Sequence, residues 1–142
     1  MHPDQIFRAA YLATSYHAQG LGFRFSSLET GLELFEGRTF ALISAQNPRS
    51  TPLSDEENLA RNANLKAVLL SFGWAFADSY GQNLELSWSE AGFIVWDVPL
   101  EQIISLAQDF NQNAIVFGQG ARIALCWCFS GESEWFYPSI EG

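Results

Sequence analysis

The sequence predicts an α+β protein: a mostly antiparallel sheet with helices packed on one face, built as a ferredoxin-like split β-α-β core with an extra N-terminal helix and strand. Two stretches with apolar residues at helical spacing, near 54–72 and 99–110, each lie between short apolar runs, which gives strand-helix-strand twice over. The length of 142 residues and the 48% hydrophobic content suit a single domain spanning 1–142 that buries a core without disulfide staples.

Taken in order, Asp4 to Gln19 places Ile6, Phe7, Ala10, Tyr11 and Ala13 or Thr14 on one helical face, and Gly20 supplies the stop. Leu21, Phe23 and Phe25 alternate with Gly22, Arg24 and Ser26, and a second apolar run covers Thr39 to Ala45, so the two are expected to be neighbouring antiparallel strands. Asn47-Pro48-Arg49-Ser50-Thr51-Pro52 then forms a shaped loop, because two prolines remove donors and bias the residues before them towards extended conformations. Ser54 followed by Glu57 is a capping box, with Asp55 and Glu56 favourable at the positive end of the helix dipole, and the helix runs to Phe72, where Gly73 stops it. Its stripe Leu65, Val68, Leu69, Phe72 projects back onto Asn58, Arg61 and Asn62, so the face that buries apolar groups carries polar ones in its first turns. A short strand at Trp74 to Ala77, a loop at Asp78 to Ser87 and a strand at Gly92 to Val98 follow. Pro99 opens a third helix through Leu100, Ile103, Ile104, Ala107 and Phe110. Asn113 to Phe117 and Ala121 to Phe129, joined at Gly118-Gln119-Gly120, close the chain as a hairpin. The tail from Glu132 carries Trp135, Phe136 and Tyr137, enough aromatic area to pack back or meet a partner.

Composition removes several function classes. Sixteen acids against seven bases leave a net charge of -9, and Lys66 with six scattered Arg forms no basic run, so nucleic acid is not an expected partner. No basic segment is followed by an apolar run and no stretch approaches roughly 20 apolar residues, so no membrane partner is expected either. Cys126 and Cys128 share one face of a strand, a poor geometry for a mutual disulfide; they read as reduced core thiols, and the cytoplasm is the expected location. His2 and His17 lie near the far end of the chain from this Cys-x-Cys pair, so no zinc site and no cofactor is expected. Each histidine reads as an exposed helical or terminal residue. The motifs of P-loops, dinucleotide folds, zinc hydrolases and serine hydrolases are missing.

What remains is a polar set at element ends: Asn47 after a strand, Asn58 and Arg61 in the first turns of the capped helix, Trp88 and Glu90 before a strand, and Gln112 with Asn113 after the third helix. An Arg on the buried side of a helix needs a partner, and Glu90 is the candidate for a bidentate one. Two readings stay open: Arg61 and Glu90 pin a loop while the amides cap backbone, or the set lines a pocket. In the first, the guanidinium holds the Glu90 carboxyl ionised; in the second, Glu90 is desolvated against Trp88 and its pKa rises towards neutral.

The segments Ile43-Ser44-Ala45-Gln46-Asn47-Pro48, Asn58 and Arg61 with Leu65, Gly73, Trp88-Ser89-Glu90 and Phe110-Asn111-Gln112-Asn113-Ala114 resemble, in order and spacing, the pattern of uncharacterised bacterial proteins grouped as domain of unknown function family 3293. The resemblance spans about Phe40 to Trp127. It implies a site at these residues and no particular activity.

Two functional expectations follow. The first is a polar pocket for a small anionic molecule or a peptide segment, built from Asn47, Asn58, Arg61, Trp88, Glu90 and Gln112, with Arg61 anchoring the anion and Trp88 as an apolar wall. The alternative is an acidic interaction module, an inhibitor or immunity-type partner of a basic protein. It rests on the aromatic tail and on a second half in which nine acids face Arg122 alone, whereas the chain through Lys66 holds seven acids and six bases. Whether the protein is an enzyme is left open by the sequence.

Overall fold

The computed structural model describes residues 3–83 and 88–141. Eight strands among them close into an antiparallel barrel in the order β1-β2-β8-β7-β6-β3-β5-β4. These are β1 (Ser15–Ala18), β2 (Leu21–Ser26), β3 (Phe40–Ile43), β4 (Phe76–Gln82), β5 (Ser89–Trp96), β6 (Ala114–Gln119), β7 (Arg122–Trp127) and β8 (Ser133–Ile140); the helices are α1 (Pro3–Leu12), α2 (Asp55–Phe72) and α3 (Leu100–Asp109). The expected ferredoxin-like open sheet is therefore wrong. The stretch β6-β3-β5-β4 does run in the order that α2 and α3 crossovers produce, but β7, β8, β2 and β1 continue the sheet until β1 meets β4 and no edge remains.

Two misread segments explain the error. The first helix was expected to reach Gln19 and ends at Leu12: Ala13 N still donates to Ala9 O, and the Thr14 hydroxyl turns back to Ala10 O. Residues 15–18 become β1, paired with β2 through a two-residue turn at Gln19 and Gly20, both at positive φ, and with β4 through Tyr16↔Gly81. The tail becomes β8, which pairs Phe136 with Ile123 on one side and Ile140 with Phe23 on the other. β2 consequently lies between β1 and β8, and the expected pairing of β2 with β3 does not form. Much of the expected loop after Ala77 is β4; His2 and residues 84–87 of that loop lie outside the described residues.

Alternation along the strands makes two cores. Phe40 and Leu42 of β3 point into the lumen with Tyr16, Phe23, Ile94, Val116 and Ile123. Ala41 and Ile43 point out against Leu65 and Leu69 of α2 and Ile103 and Leu106 of α3. Both faces of β3 are thus buried, which is why its sequence is a continuous apolar run. Gly118 is required opposite Phe40, because a Cβ there would strike the phenyl ring. The Ser54 and Glu57 capping box forms, and Gly73 ends α2 in the left-handed region at φ 73°. α1 lies across one barrel end: Tyr11 and Leu12 pack on Ala114, Leu125 and Trp127, while Arg8 Nε donates to Glu134 at 2.8 Å. Cys126 and Cys128 are thiols not joined in a disulfide and are buried on the helix-covered face. His17, expected on a helix, stands on the outer face of β1, stacked on Tyr80 at 4.6 Å. No helix among the described residues is long and apolar enough to cross a membrane.

Candidate functional site

The loop after β3 is held by amides rather than by regular structure. Asn47 takes a left-handed conformation (φ 45°, ψ 66°), one that asparagine tolerates better than most residues. Its backbone N–H donates to Asn58 Oδ1 at 2.9 Å, and its own Oδ1 accepts from Leu53 N at 3.0 Å and from Asn58 Nδ2 at 2.9 Å. One turn further along α2, Asn62 accepts from Ala45 N and donates to Ala91 O, both at 2.9 Å, tying β3 to β5. Asn58 and Asn62 are both buried, and the reciprocal bonds satisfy groups that would otherwise be costly to desolvate.

Arg61 does not meet Glu90. Its Nε donates to Ala45 O and its Nη2 to Phe110 O, each at 2.5 Å, so the guanidinium bridges the end of β3 to the end of α3. The expected Arg61–Glu90 pair is replaced by a cation bound to two main-chain carbonyls, and the anchor imagined for an anionic ligand is engaged in the fold. Gln112, also buried, donates from Nε2 to Gln46 O at 3.0 Å and Phe110 O at 3.3 Å. Gln46 in turn accepts from Ala91 N at 3.2 Å.

Glu90 instead faces the lumen. It pairs with Gly81 across β4 and β5, two residues before Gly92 and four before the lumen residue Ile94. Around it is a cavity of about 80 Å³ at the barrel end that α1 crosses, walled by Tyr11, Thr14, Tyr16, Ser44, Trp88 and Gln112, with Gly81, Gly92 and Ala114 leaving the space free. Gly92 also lets β5 approach β3, since a Cβ there would press on the Ile43 carbonyl. Asn47 Nδ2 reaches Glu90 Oε2 at 3.4 Å, which links the loop network to the cavity. Of the sequence-predicted residues, Trp88, Glu90 and Gln112 line the cavity, Asn47 touches it through Glu90, and Asn58 and Arg61 stand behind it as supports.

No described cation lies against the Glu90 carboxyl. Burial pushes its pKa up to about 7, against the opposing hydrogen bonds of Asn47 and Ser44. Burial also raises the Tyr16 phenol, whose hydroxyl donates to Tyr11 O at 2.8 Å. Thr14, Tyr16, Ser44 and Asn62 were not in the set expected to form the site. Asn62 was readable, being on the same α2 face as Asn58 and Leu65; Tyr16 was not, because its lumen position exists only once β1 is a strand. A second depression of about 300 Å³ lies beside the β1–β2 turn, where His17 and Asp78 sit on the outer face. The aromatic tail is part of the barrel: Phe136 packs with the lumen cluster, and Trp135 lies edge-on to Phe117 with the Arg122 guanidinium 5.0 Å from its ring centre.

Fold and site together define a small helix-flanked antiparallel barrel with a carboxyl-bearing cavity at one end. Within that class the chain belongs to the family described as protein of unknown function (DUF3293), whose model matches residues 43–115, just over half of the sequence. The match runs from the end of β3 to the start of β6 and contains Asn47, Asn58, Arg61, Trp88, Glu90 and Gln112. No curated protein and no solved structure matches the chain.

Proposed function

We propose that this protein binds a small molecule in the mouth of the barrel, with Glu90 as the group that recognises it and exchanges a proton near neutral pH. The observation that carries the reading is the position of Glu90: a lumen-facing carboxyl beside a cavity, with the amide of Asn47 and no described cation against it. Structural carboxylates are normally paired with a cation, and leaving one desolvated costs stability that a ligand recovers on binding. A rigid frame supports this: Asn47, Asn58, Arg61 and Gln112 fix the rim through main-chain contacts, so the cavity walls sit on braced elements. A volume of about 80 Å³ suits the head group of a metabolite more than a whole drug-sized ligand.

A protein-observed NMR screen of amines, alcohols, amides, sugars and carboxylates tests it. Hits should shift Trp88, Gly81, Gly92 and Ala114 together, and Ala114→Leu, which adds volume at the mouth, should abolish them in a variant whose fold is checked by its amide spectrum. Silence across the collection, or hits that perturb only the outer face, would remove the reading.

A further inference from the structure

We propose that the group taken into the barrel mouth is an organic ammonium, ion-paired with the Glu90 carboxylate and walled by Tyr16 and Trp88. The inference rests on the barrel-mouth reading and adds the ligand's chemistry.

The argument begins with the direction of the hydrogen bonds. Four of the polar side chains around the mouth spend a donor on the protein itself: the Thr14 hydroxyl on Ala10 O at 2.7 Å, Ser44 on Ala91 O at 2.7 Å, Tyr16 on Tyr11 O at 2.8 Å, and Gln112 Nε2 on Gln46 O. Asn47 Nδ2 is turned to Glu90. The Thr14 and Tyr16 hydroxyl oxygens keep lone pairs after donating and Gln112 retains Oε1, whereas Ser44 Oγ already accepts from Gln46 N at 3.0 Å, so it is the first three that offer the cavity acceptors. A ligand that fits is one rich in donors.

Charge points the same way. Arg8 pairs with Glu134, Arg24 with Glu141 and Arg38 with Asp97. Arg61 is held by two carbonyls, Arg49 lies over Phe129 at 4.2 Å, and Arg122 over Trp135. Lys66 is on the exposed side of α2. Every arginine is thus engaged away from Glu90, so an anion entering the mouth would meet a carboxyl and a ring of acceptors with no compensating charge. A divalent metal is a poor alternative, since no described group of three or more His, Cys, Asp or Glu side chains could hold one. Tyr16 and Trp88 line the cavity beside a single carboxylate, and aromatic walls of this kind suit a soft organic cation, where cation–π attraction adds to the ion pair. Trp88 is 43% exposed and stands at the entrance, within reach of an incoming head group.

The test uses the full chain, followed by amide and indole NMR signals at constant ionic strength set with potassium chloride. Methylammonium and tetramethylammonium chlorides are titrated, with tert-butanol as the neutral counterpart and sodium acetate as the anion. Saturable shifts of the Trp88 indole and the Gly81 and Gly92 amides are expected with at least one ammonium salt. Glu90→Gln should weaken that binding by roughly tenfold or more, the scale on which a desolvated charge partner acts. Trp88→Ala, at an exposed position where folding is spared, should weaken tetramethylammonium several-fold, and this holds the test open if Glu90→Gln fails to fold. Equal binding of tert-butanol, unaffected by Glu90→Gln, overturns the ammonium inference and leaves the barrel-mouth site standing. Preference for acetate also overturns it. If no probe shifts these signals and the broader screen is silent too, both readings fall together.

Discussion

Replacing Glu90 by Gln should change how stability depends on pH in a direction opposite to that of an ordinary paired carboxylate. The folded pKa of Glu90 is raised to about 7 from the usual 4.5, with burial as the main cause. A raised folded pKa means that the native state holds a proton the unfolded chain has released, so its contribution is fully present below the unfolded value and is lost as pH rises through the folded one. The window is therefore about pH 4.5 to 7. A gap of about 2.5 units at roughly 1.4 kcal/mol per unit gives ~3.5 kcal/mol as a ceiling, because water entering the open mouth resolvates the carboxylate. The glutamine amide keeps an oxygen for Asn47 Nδ2 and has no charge to desolvate, so the variant should match the wild type near pH 4, below the unfolded value, and exceed it by up to that amount near pH 8. Glu134 and Glu141 leave this window alone. Burial alone would raise Glu134, but Trp127 and Arg8 hold it below the usual range, and the Ser15 hydroxyl followed by Arg24 does the same for Glu141, so their contributions are lost only in stronger acid. Urea unfolding of both proteins at several pH values, with the side-chain carboxyl followed by carbon NMR, measures the effect. A wild type whose stability is flat from pH 5 to 8, or a Glu90 carboxyl titrating at or below the ordinary value, would refute the reasoning.

Two further outcomes test the frame around the site. Arg61→Ala removes charge-assisted bonds to Ala45 O and Phe110 O and should cost about 3 kcal/mol, a fall of roughly 10 °C in Tm; a change below about 1 kcal/mol by denaturation would show that water replaces the guanidinium at no cost. Truncation after Gly131 deletes β8, leaves β7 and β2 as open edges and exposes the lumen, so cooperative unfolding should be lost by circular dichroism; an unchanged melting midpoint would show that the barrel does not depend on its closing strand.

The parts of the fold that were legible are those fixed by neighbours in the chain. Ser54 and Glu57 cap α2 and Gly73 ends it because these contacts span only a few residues, and any chain with that local order makes them. The apolar runs of β3, β6 and β7 were readable for a related reason: strands buried on both faces have little room for polar residues. Asn47, Glu90 and Gln112 stood out as polar residues at element ends, and the fold does gather them.

Other features depended on partners distant in sequence. Ser15-Tyr16-His17-Ala18 is too short to carry a strand pattern and continues a helical stripe; it is extended because β2 and β4 pair with it from both sides. β8 contains Pro138, a residue that argues against a strand, yet it lies past Phe136, the last β8 residue paired with β7, and is buried opposite Phe25 of β2. Arg61 was assigned the nearest available acid, but its long planar donor set finds free carbonyls at the ends of β3 and α3, a choice that only their convergence in space makes possible. The same holds for Glu90. Side chains alternate along a strand, so the Gly81↔Glu90 register decides whether the carboxyl meets the lumen or solvent, and a slip of one residue would send it outside. The sequence by itself determined the ends of α2, the apolar strands and the polar set; barrel closure and register, which depend on long-range pairing, decided where α1 stops and which of those polar groups lost its water.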